Sequence, residues 1–332
     1  MTPVVPGMVR VSVGSAIVLN VLRGRLDALP TTAYLLTYRS GKCSANCGFC
    51  PQARTSKSRA DMLSRVTWPS FPTKRVLSGI TDAVKKGAIK RVCIQALNYP
   101  TVLEDILNLV NGVLLRVAVP ISVSCQPLQS KEMEKLVEVG VGRIGIPLDA
   151  ATEALFDKIK GPLAGSPYSW GEQREALKVA VQIFGRNRVS THLIVGLGET
   201  EKEMAETLQW CIDVGVHPGL FAFTPVSGTA LENQPQPSLD HYRRLQLARH
   251  LITEGLVRSE NMSFDGNGCL VDFGVSPERL RAVIRDGRPF VTSGCPNCNR
   301  PYYNERPGGP LYNYPKQLLP EEIVQIERQI FL

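Results

Sequence analysis

The chain lacks the features that mark membrane, nucleic-acid-binding and disulfide-built proteins. Its best apolar stretch, Val11 to Leu22, is too short to cross a bilayer and has no charged run before it, so no transmembrane span and no cleavable signal peptide is expected. Basic residues outnumber acidic ones, giving a formal charge of +8 and a pI near 9.1. They are scattered, however, and the dense Lys/Arg run of a nucleic-acid arm is missing, so the excess suits an acidic protein partner at most. No solenoid-period repeat and no low-complexity tract is present. The nine cysteines are odd in number and carry metal-type spacings, which argues against a secreted disulfide framework and for a reducing, cytoplasmic setting.

What is present is an ordinary globular composition. The 332 residues are 43% hydrophobic and 20% charged, enough to bury a substantial α/β core. Short β-rich runs alternate with amphipathic helical ones, which predicts βα units on a parallel sheet. The expected strands are Ala33–Tyr38, Arg91–Gln95, Ile121–Cys125, Arg143–Ile146, Val189–Val195, Gly219–Phe223, Met262–Asp265 and Pro289–Thr292. Helices are expected over Pro72–Lys86, Lys131–Val139, Glu201–Val214 and Leu239–Gly255, with a further start at Ser276-Pro277-Glu278. Eight strands and intervening helices fit an α/β fold of the (β/α)8 TIM-barrel type, whose sites gather at the C-terminal ends of the strands. The expected organisation is a helical lead-in over 1–30, the barrel over 31–299, and an irregular tail over 300–332. The tail is dense in Pro, Gly and Tyr and should wrap the barrel without regular structure.

The organising stretch is Lys42-Cys43-Ser44-Ala45-Asn46-Cys47-Gly48-Phe49-Cys50, just after the first expected strand. Cysteines four and three residues apart let one tight loop aim three thiolates at one centre, the usual ligation of an iron–sulfur cube. Three ligands for a four-iron cube leave one iron open to a small molecule. A structural zinc loop, or three separate core cysteines, would share the spacing.

Five more cysteines fall on the strand plan: Cys93 on the second strand, Cys125 closing the third, Cys269 after the seventh, and Cys295 and Cys298 after the eighth. Cys211 lies inside a helix and reads as core packing. Cys295-Pro296-Asn297-Cys298 is a metal-clip spacing, and without a further pair a four-cysteine zinc ribbon is hard to build. Cys93 and Cys125 taken singly could equally be small buried apolar residues.

Cys43, Cys47 and Cys50, with Phe49 before the third, resemble the C-x3-C-x-aromatic-C signature of radical S-adenosylmethionine (SAM) enzymes. That resemblance implies a [4Fe-4S] cluster whose open iron binds SAM, a 5′-deoxyadenosyl radical for hydrogen abstraction, Phe49 against the adenine, anaerobic handling, and an electron donor such as ferredoxin or flavodoxin. Cys93 through Pro100, Cys125, and His192 through Thr200 resemble biotin synthase, in which cysteines matching Cys93 and Cys125 bind a sulfur-donating auxiliary cluster. Its third cysteine is matched here by Ser190, and its completing arginine has no counterpart near Asn267–Cys269. His192 and Leu193 also replace small residues. The likeness further implies that Ile194, Gly196, Gly198 and Glu199 pass the adenine and that Asp149 holds the ribose hydroxyls despite Pro147 in place of an asparagine. Arg174, before the fifth expected strand, is placed either to pair with the SAM carboxylate or to stand as a solvated helix charge.

With its C-P-N-C-N-R-P-Y-Y-N-E tail, the chain most resembles the biotin-synthase-related subunits of two-protein lipoyl synthases, from about residue 30 to 315. That implies a second, auxiliary [4Fe-4S] cluster as sulfur donor. Its ligands would come from Cys295 and Cys298 first, Cys93 and Cys125 second, and Cys269 third. Arg300, by its position two residues past Cys298, is a candidate for tuning the cluster. The implied substrate is an octanoylated lysine on a carrier domain, either an H-protein or a lipoyl domain, and the implied partner is a sister radical SAM subunit. Alternatives are another radical SAM reaction (biotin-type sulfur insertion, methyl transfer or rearrangement) with a structural or electron-transferring second cluster, or a non-catalytic iron–sulfur or zinc scaffold.

Overall fold

Apolar residues at helical spacing separate the strand-forming runs throughout the chain. In the helix Thr73–Lys85, for example, Val76, Leu77, Ile80 and Ala83 are buried on one face. The computed structural model describes residues 5–305 and 308–331. The first four residues of the expected lead-in, and Arg306, Pro307 and Leu332 of the expected tail, lie outside the described residues. The chain opens with β1 (Met8–Val11), α1 (Val13–Val18) and β2 (Thr32–Leu36). A hairpin of β3 (Met62–Leu63) and β4 (Val66–Thr67), then β5 (Ser70–Pro72), leads into α2 (Thr73–Lys85). Strand–helix alternation follows through β6 (Arg91–Gln95), α3 (Val102–Leu114), β7 (Ile121–Ser124), α4 (Ser130–Glu138) and β8 (Val141–Gly145). Next come α5 (Glu153–Ile159), α6 (Trp170–Phe184), β9 (Val189–Val195), α7 (Glu201–Val214), β10 (Val216–Ala222) and α8 (Leu239–Thr253). The C-terminal part adds β11 (Ser263–Phe264), β12 (Leu270–Asp272), α9 (Pro277–Asp286) and α10 (Pro320–Phe331).

The main sheet has eight strands in the order β10-β9-β8-β7-β6-β2-β1-β5. From β2 to β10 every neighbouring pair is parallel, whereas β1 runs antiparallel to both β2 and β5. This is the α/β, (β/α)8-type architecture that the alternation predicts. Helix starts follow their local chemistry: Thr200 and Glu203 form a capping box for α7, and Ser276 caps α9 with Pro277 in its first turn. No described helix is long and apolar enough to cross a membrane.

The last two expected strands are corrected. Ser263–Phe264 pairs with Leu270–Asp272 in a separate two-stranded sheet. Arg288–Phe290 is a 3-10 turn, where Pro289 offers no N–H to a strand ladder. Their places in the eight-stranded sheet are taken by β1 and β5, and β10 and β5 are not paired with each other. The segment 291–305 instead links β10 to the start of β2. On the β10 side, the Leu220 N–H donates to Ser293 Oγ (3.1 Å) and Asn304 Nδ2 donates to the Ala222 carbonyl (2.8 Å). On the β2 side, the Thr31 N–H donates to Asn299 Oδ1 (3.0 Å) and the Thr31 hydroxyl to the Asn297 carbonyl.

Beyond it, buried Tyr312 stands edge-on to Tyr242 at 5.2 Å, and Arg243 Nη1 donates to the Tyr312 carbonyl (2.6 Å). The tail nevertheless ends in a helix, α10, which starts at Pro320 with Glu321 and Glu322 in its first turn. Proline at the first position and acids beside it are ordinary helix-start chemistry, so the expectation of a wholly irregular tail is corrected.

Candidate functional site

Side chains alternate along a strand, so the inward row of each parallel strand reaches the lumen. The upper cavity, about 170 Å³, is lined by residues at strand C-terminal ends, including Leu36, Gln95, Ser124, Ile194 and Phe221. Cys43, Cys47 and Cys50 all line it, as do Phe49, Asp149, Arg300 and Tyr303. The motif loop is pinned from several sides. The Gly48 N–H donates to the Ile159 carbonyl (2.7 Å), and the Leu231 N–H donates to the Gly48 carbonyl (3.1 Å). Lys42 Nζ donates to the Pro51 and Ser58 carbonyls, each at 2.6 Å. The Asn98 N–H donates to Cys43 Sγ (3.0 Å). Phe49 and Ile194 pack on a small apolar cluster of Ile159, Leu197 and Phe223.

Burial raises the Cys47 thiol well above its ordinary value and pushes Cys50 up to about 12. Left alone, both stay protonated; a metal centre is what converts such thiols to thiolates. Among the described residues no group of three or more His, Cys, Asp or Glu could hold a single metal ion. Three soft donors around one cavity, with no carboxylate among the three, fit an iron–sulfur cube.

A lower cavity of about 60 Å³ lies towards the strand N-terminal ends, lined by Thr32, Arg91, Ser122, Arg143, Ser190 and His217 among others. Cys93, Cys295 and Cys298 line it, with Arg300. Tyr34 Oη lies 3.1 Å from Cys298 Sγ, and Ser122 Oγ lies 3.5 Å from Cys295 Sγ. Burial is the main force raising the Cys93 thiol, followed by the nearby Cys295 and Cys298. Gln95, Ser124, His192, Phe221 and Arg300 line both cavities. Arg300 is fixed in this wall: its guanidinium lies 3.9 Å from the Phe221 ring centroid, and Nη2 donates to the Ser293 carbonyl (2.9 Å).

Several expected site residues lie elsewhere. Cys125 lines the upper cavity, not the lower, because it follows the last residue of β7. Cys269 is exposed on the β11–β12 hairpin, its N–H donating to Asp265 Oδ1, and it joins neither group of thiols. Arg174 lines neither cavity and stacks on Trp210 at 4.1 Å, with Trp170 at 5.8 Å. Gly196, Gly198 and Glu199 also lie outside the cavity lining. Gly196 has φ +100°, and a Cβ there would come within 2.8 Å of Pro237 Cδ, so it serves the turn. Glu199 accepts from the Gly196 and Leu197 N–H groups (2.7 and 3.0 Å) and braces the same turn.

One partner was not legible in the chain. Lys160, fully buried, donates to Asp149 Oδ2 (2.8 Å) and to the Pro147 carbonyl. His192 faces both cavities, 4.8 Å from the Phe221 ring; burial, then Arg300 and Lys160, lowers its pKa to about 3, so it is neutral.

Comparison with known proteins places this geometry. The Radical SAM superfamily profile matches residues 37–211. The chain is 26% identical over 234 residues to a biotin synthase of Synechococcus elongatus, spanning 68% of each. It is 27% identical over 208 residues to a biotin synthase of Aquifex aeolicus, spanning 60% of this chain and 58% of that one. In fold it is similar to methylornithine synthase (PylB), with a TM-score of 0.52, 16% identity, and 68% of this chain and 63% of that chain covered. It is also similar to the FeFe-hydrogenase maturase HydG from Carboxydothermus hydrogenoformans, with a TM-score of 0.50, 15% identity, and coverage of 67% of this chain and 51% of that chain. The matched span includes the three-cysteine loop and most of the parallel sheet that frames it: the chain belongs to the radical SAM superfamily, as a biotin-synthase-related member of a family built on a [4Fe-4S] cluster and S-adenosylmethionine.

Proposed function

We propose that this protein inserts sulfur into an unactivated C–H bond of an octanoyl chain carried on a protein lysine. It acts in lipoyl cofactor assembly with a sister radical SAM protein and an electron donor of the ferredoxin or flavodoxin kind. The carrying observation is that Cys93, Cys295 and Cys298 surround a cavity sharing a wall with that of the motif cysteines. We assign these three thiols to a second [4Fe-4S] cluster, the sulfur donor.

Bound at Cys43, Cys47 and Cys50, the first cluster with SAM supplies hydrogen-atom abstraction from carbon. The chain's own residues bind and orient. Phe49 and the apolar cluster behind it offer a flat surface for a base. Asp149, its Oδ2 already held by Lys160, can accept from hydroxyl groups through Oδ1. Neutral His192, Phe221 and Arg300, between the cavities, set the distance a carbon chain must cover from one centre to the other. The likeness of the C-P-N-C-N-R-P-Y-Y-N-E tail to lipoyl synthase subunits supports the octanoyl substrate, and the chain's net positive charge suits an acidic carrier domain.

The test is anaerobic turnover with SAM, a reductant, the sister protein and an octanoyl-lysyl peptide, followed by mass spectrometry. The reading expects the peptide to gain sulfur, and a Cys295→Ala plus Cys298→Ala variant to form 5′-deoxyadenosine without thiolating it. 5′-Deoxyadenosine with unmodified peptide in the wild type contradicts the reading. Thiolation of dethiobiotin in its place would return the chain to biotin-type chemistry.

A further inference from the structure

The lower cavity carries an unbalanced positive charge. Arg91, Arg143 and Arg300 line it, and no Asp or Glu does. Among the described residues none of the three enters an ion pair. Arg249 extends the column downwards, its Nη2 lying 3.1 Å from His217 Nε2. Arg91 Nη1 donates to Ser122 Oγ (2.9 Å), and Arg300 donates to Ser293 and stacks on Phe221. Arg143 differs, for its buried Nε has no partner. Thr32, 1% exposed, lines the same cavity with its Oγ1 equally unpartnered.

Unpaired guanidiniums facing a lumen and orphaned buried donors are costly unless something answers them. Three thiolates around a cationic iron–sulfur core carry only a small net negative charge, which does not balance three arginines. Three cysteines also leave one iron of a cube without a protein ligand. We propose that this second centre takes hydrosulfide from solution as its remaining ligand, held by Arg143 and the Thr32 hydroxyl. The inference rests on the assignment of a second cluster to Cys93, Cys295 and Cys298. Hydrosulfide fits on three counts. It is a small monoanion; it accepts hydrogen bonds; and its soft sulfur suits iron already bound by thiolates better than chloride or carboxylate does. On binding, its sulfur donates a lone pair to iron and keeps its proton, so no electron is transferred.

The test is Mössbauer spectroscopy of the anaerobic, iron-loaded full chain during titration with sodium hydrosulfide, with sodium acetate and sodium chloride as comparison anions. Hydrosulfide alone should produce a saturable change at one iron of the second centre. Arg143→Gln should weaken the apparent affinity at least ~10-fold at unchanged iron content, and Arg143→Lys, which keeps the charge, by no more than ~3-fold. If Arg143→Gln loses iron, Thr32→Val serves in its place, with an expected loss of ~3- to 10-fold. No response at full iron content, an equal response in the neutral variants, or an equal response to acetate or chloride overturns the proposal. A wild-type chain that binds only one cube overturns the two-cluster reading beneath it, which is a separate failure.

Discussion

Asp149 sits at φ +68°, outside the usual range for a non-glycine residue, and its carboxylate is tied to a lysine with no solvent exposure. Removing one partner of a buried ion pair strands the other charge. Lys160→Met should therefore cost about 3–5 kcal/mol, read from the urea midpoint. Adding Asp149→Asn should recover part of that loss, because it removes the stranded charge. No local sequence signal announces this pair: the two residues are 11 apart across a turn and a helix, and Lys160 belongs to no motif. The three motif cysteines were legible for the opposite reason. Their spacing places them in one loop, so local chain geometry alone brings them together. Cys93 and Cys125 mark the boundary between these cases. Both sit at plausible strand positions, but only the register of β6 and the end of β7 decide which cavity each one meets.

At the scale of elements, Glu201 joins three pieces of structure. At the start of α7 it accepts from Arg244 Nε (2.8 Å) on α8 and from the Leu270 N–H (2.6 Å) on β12, and its Oε1 lies 2.9 Å from His241 Nδ1. Burial alone would raise its pKa, but the hydrogen bonds from His241, Arg244 and Leu270 outweigh that and hold it below its ordinary value near 4.5. A carboxyl depressed on folding adds stability above its unfolded pKa, and that stability is lost as pH falls through the folded value. Glu201→Gln should thus lose about 1.5–3 kcal/mol at neutral pH, and the gap to wild type should narrow in denaturant titrations below about pH 4.5.

The bridging segment 291–305 makes a second element-level claim. Ser293→Ala and Asn304→Ala should each cost about 1 kcal/mol and raise hydrogen exchange along β10. That bridge was hidden in the sequence, since Pro289–Thr292 has the composition of a last barrel strand. Only the missing N–H of Pro289 and the distant pairing of β1 with β2 and β5 exclude it from the sheet.

For the whole molecule, the architecture has one consequence. Because strands β2 to β10 wrap the lumen but do not close it, a C-terminal segment can carry two cysteines inside, beneath the site built by an N-terminal loop. Cys93, on β6, meets them from the sheet. Two thiol groups are thereby stacked along one lumen, with Phe221, His192 and Arg300 between them. Iron and sulfide analysis with Mössbauer spectroscopy tests this most directly, on anaerobically reconstituted wild type and two triple variants. One variant carries Cys43→Ala, Cys47→Ala and Cys50→Ala, and the other Cys93→Ala, Cys295→Ala and Cys298→Ala. Two stacked clusters predict about eight irons in the wild type and about four in each variant. About four irons in the wild type, undiminished when Cys93, Cys295 and Cys298 are removed, would contradict the account.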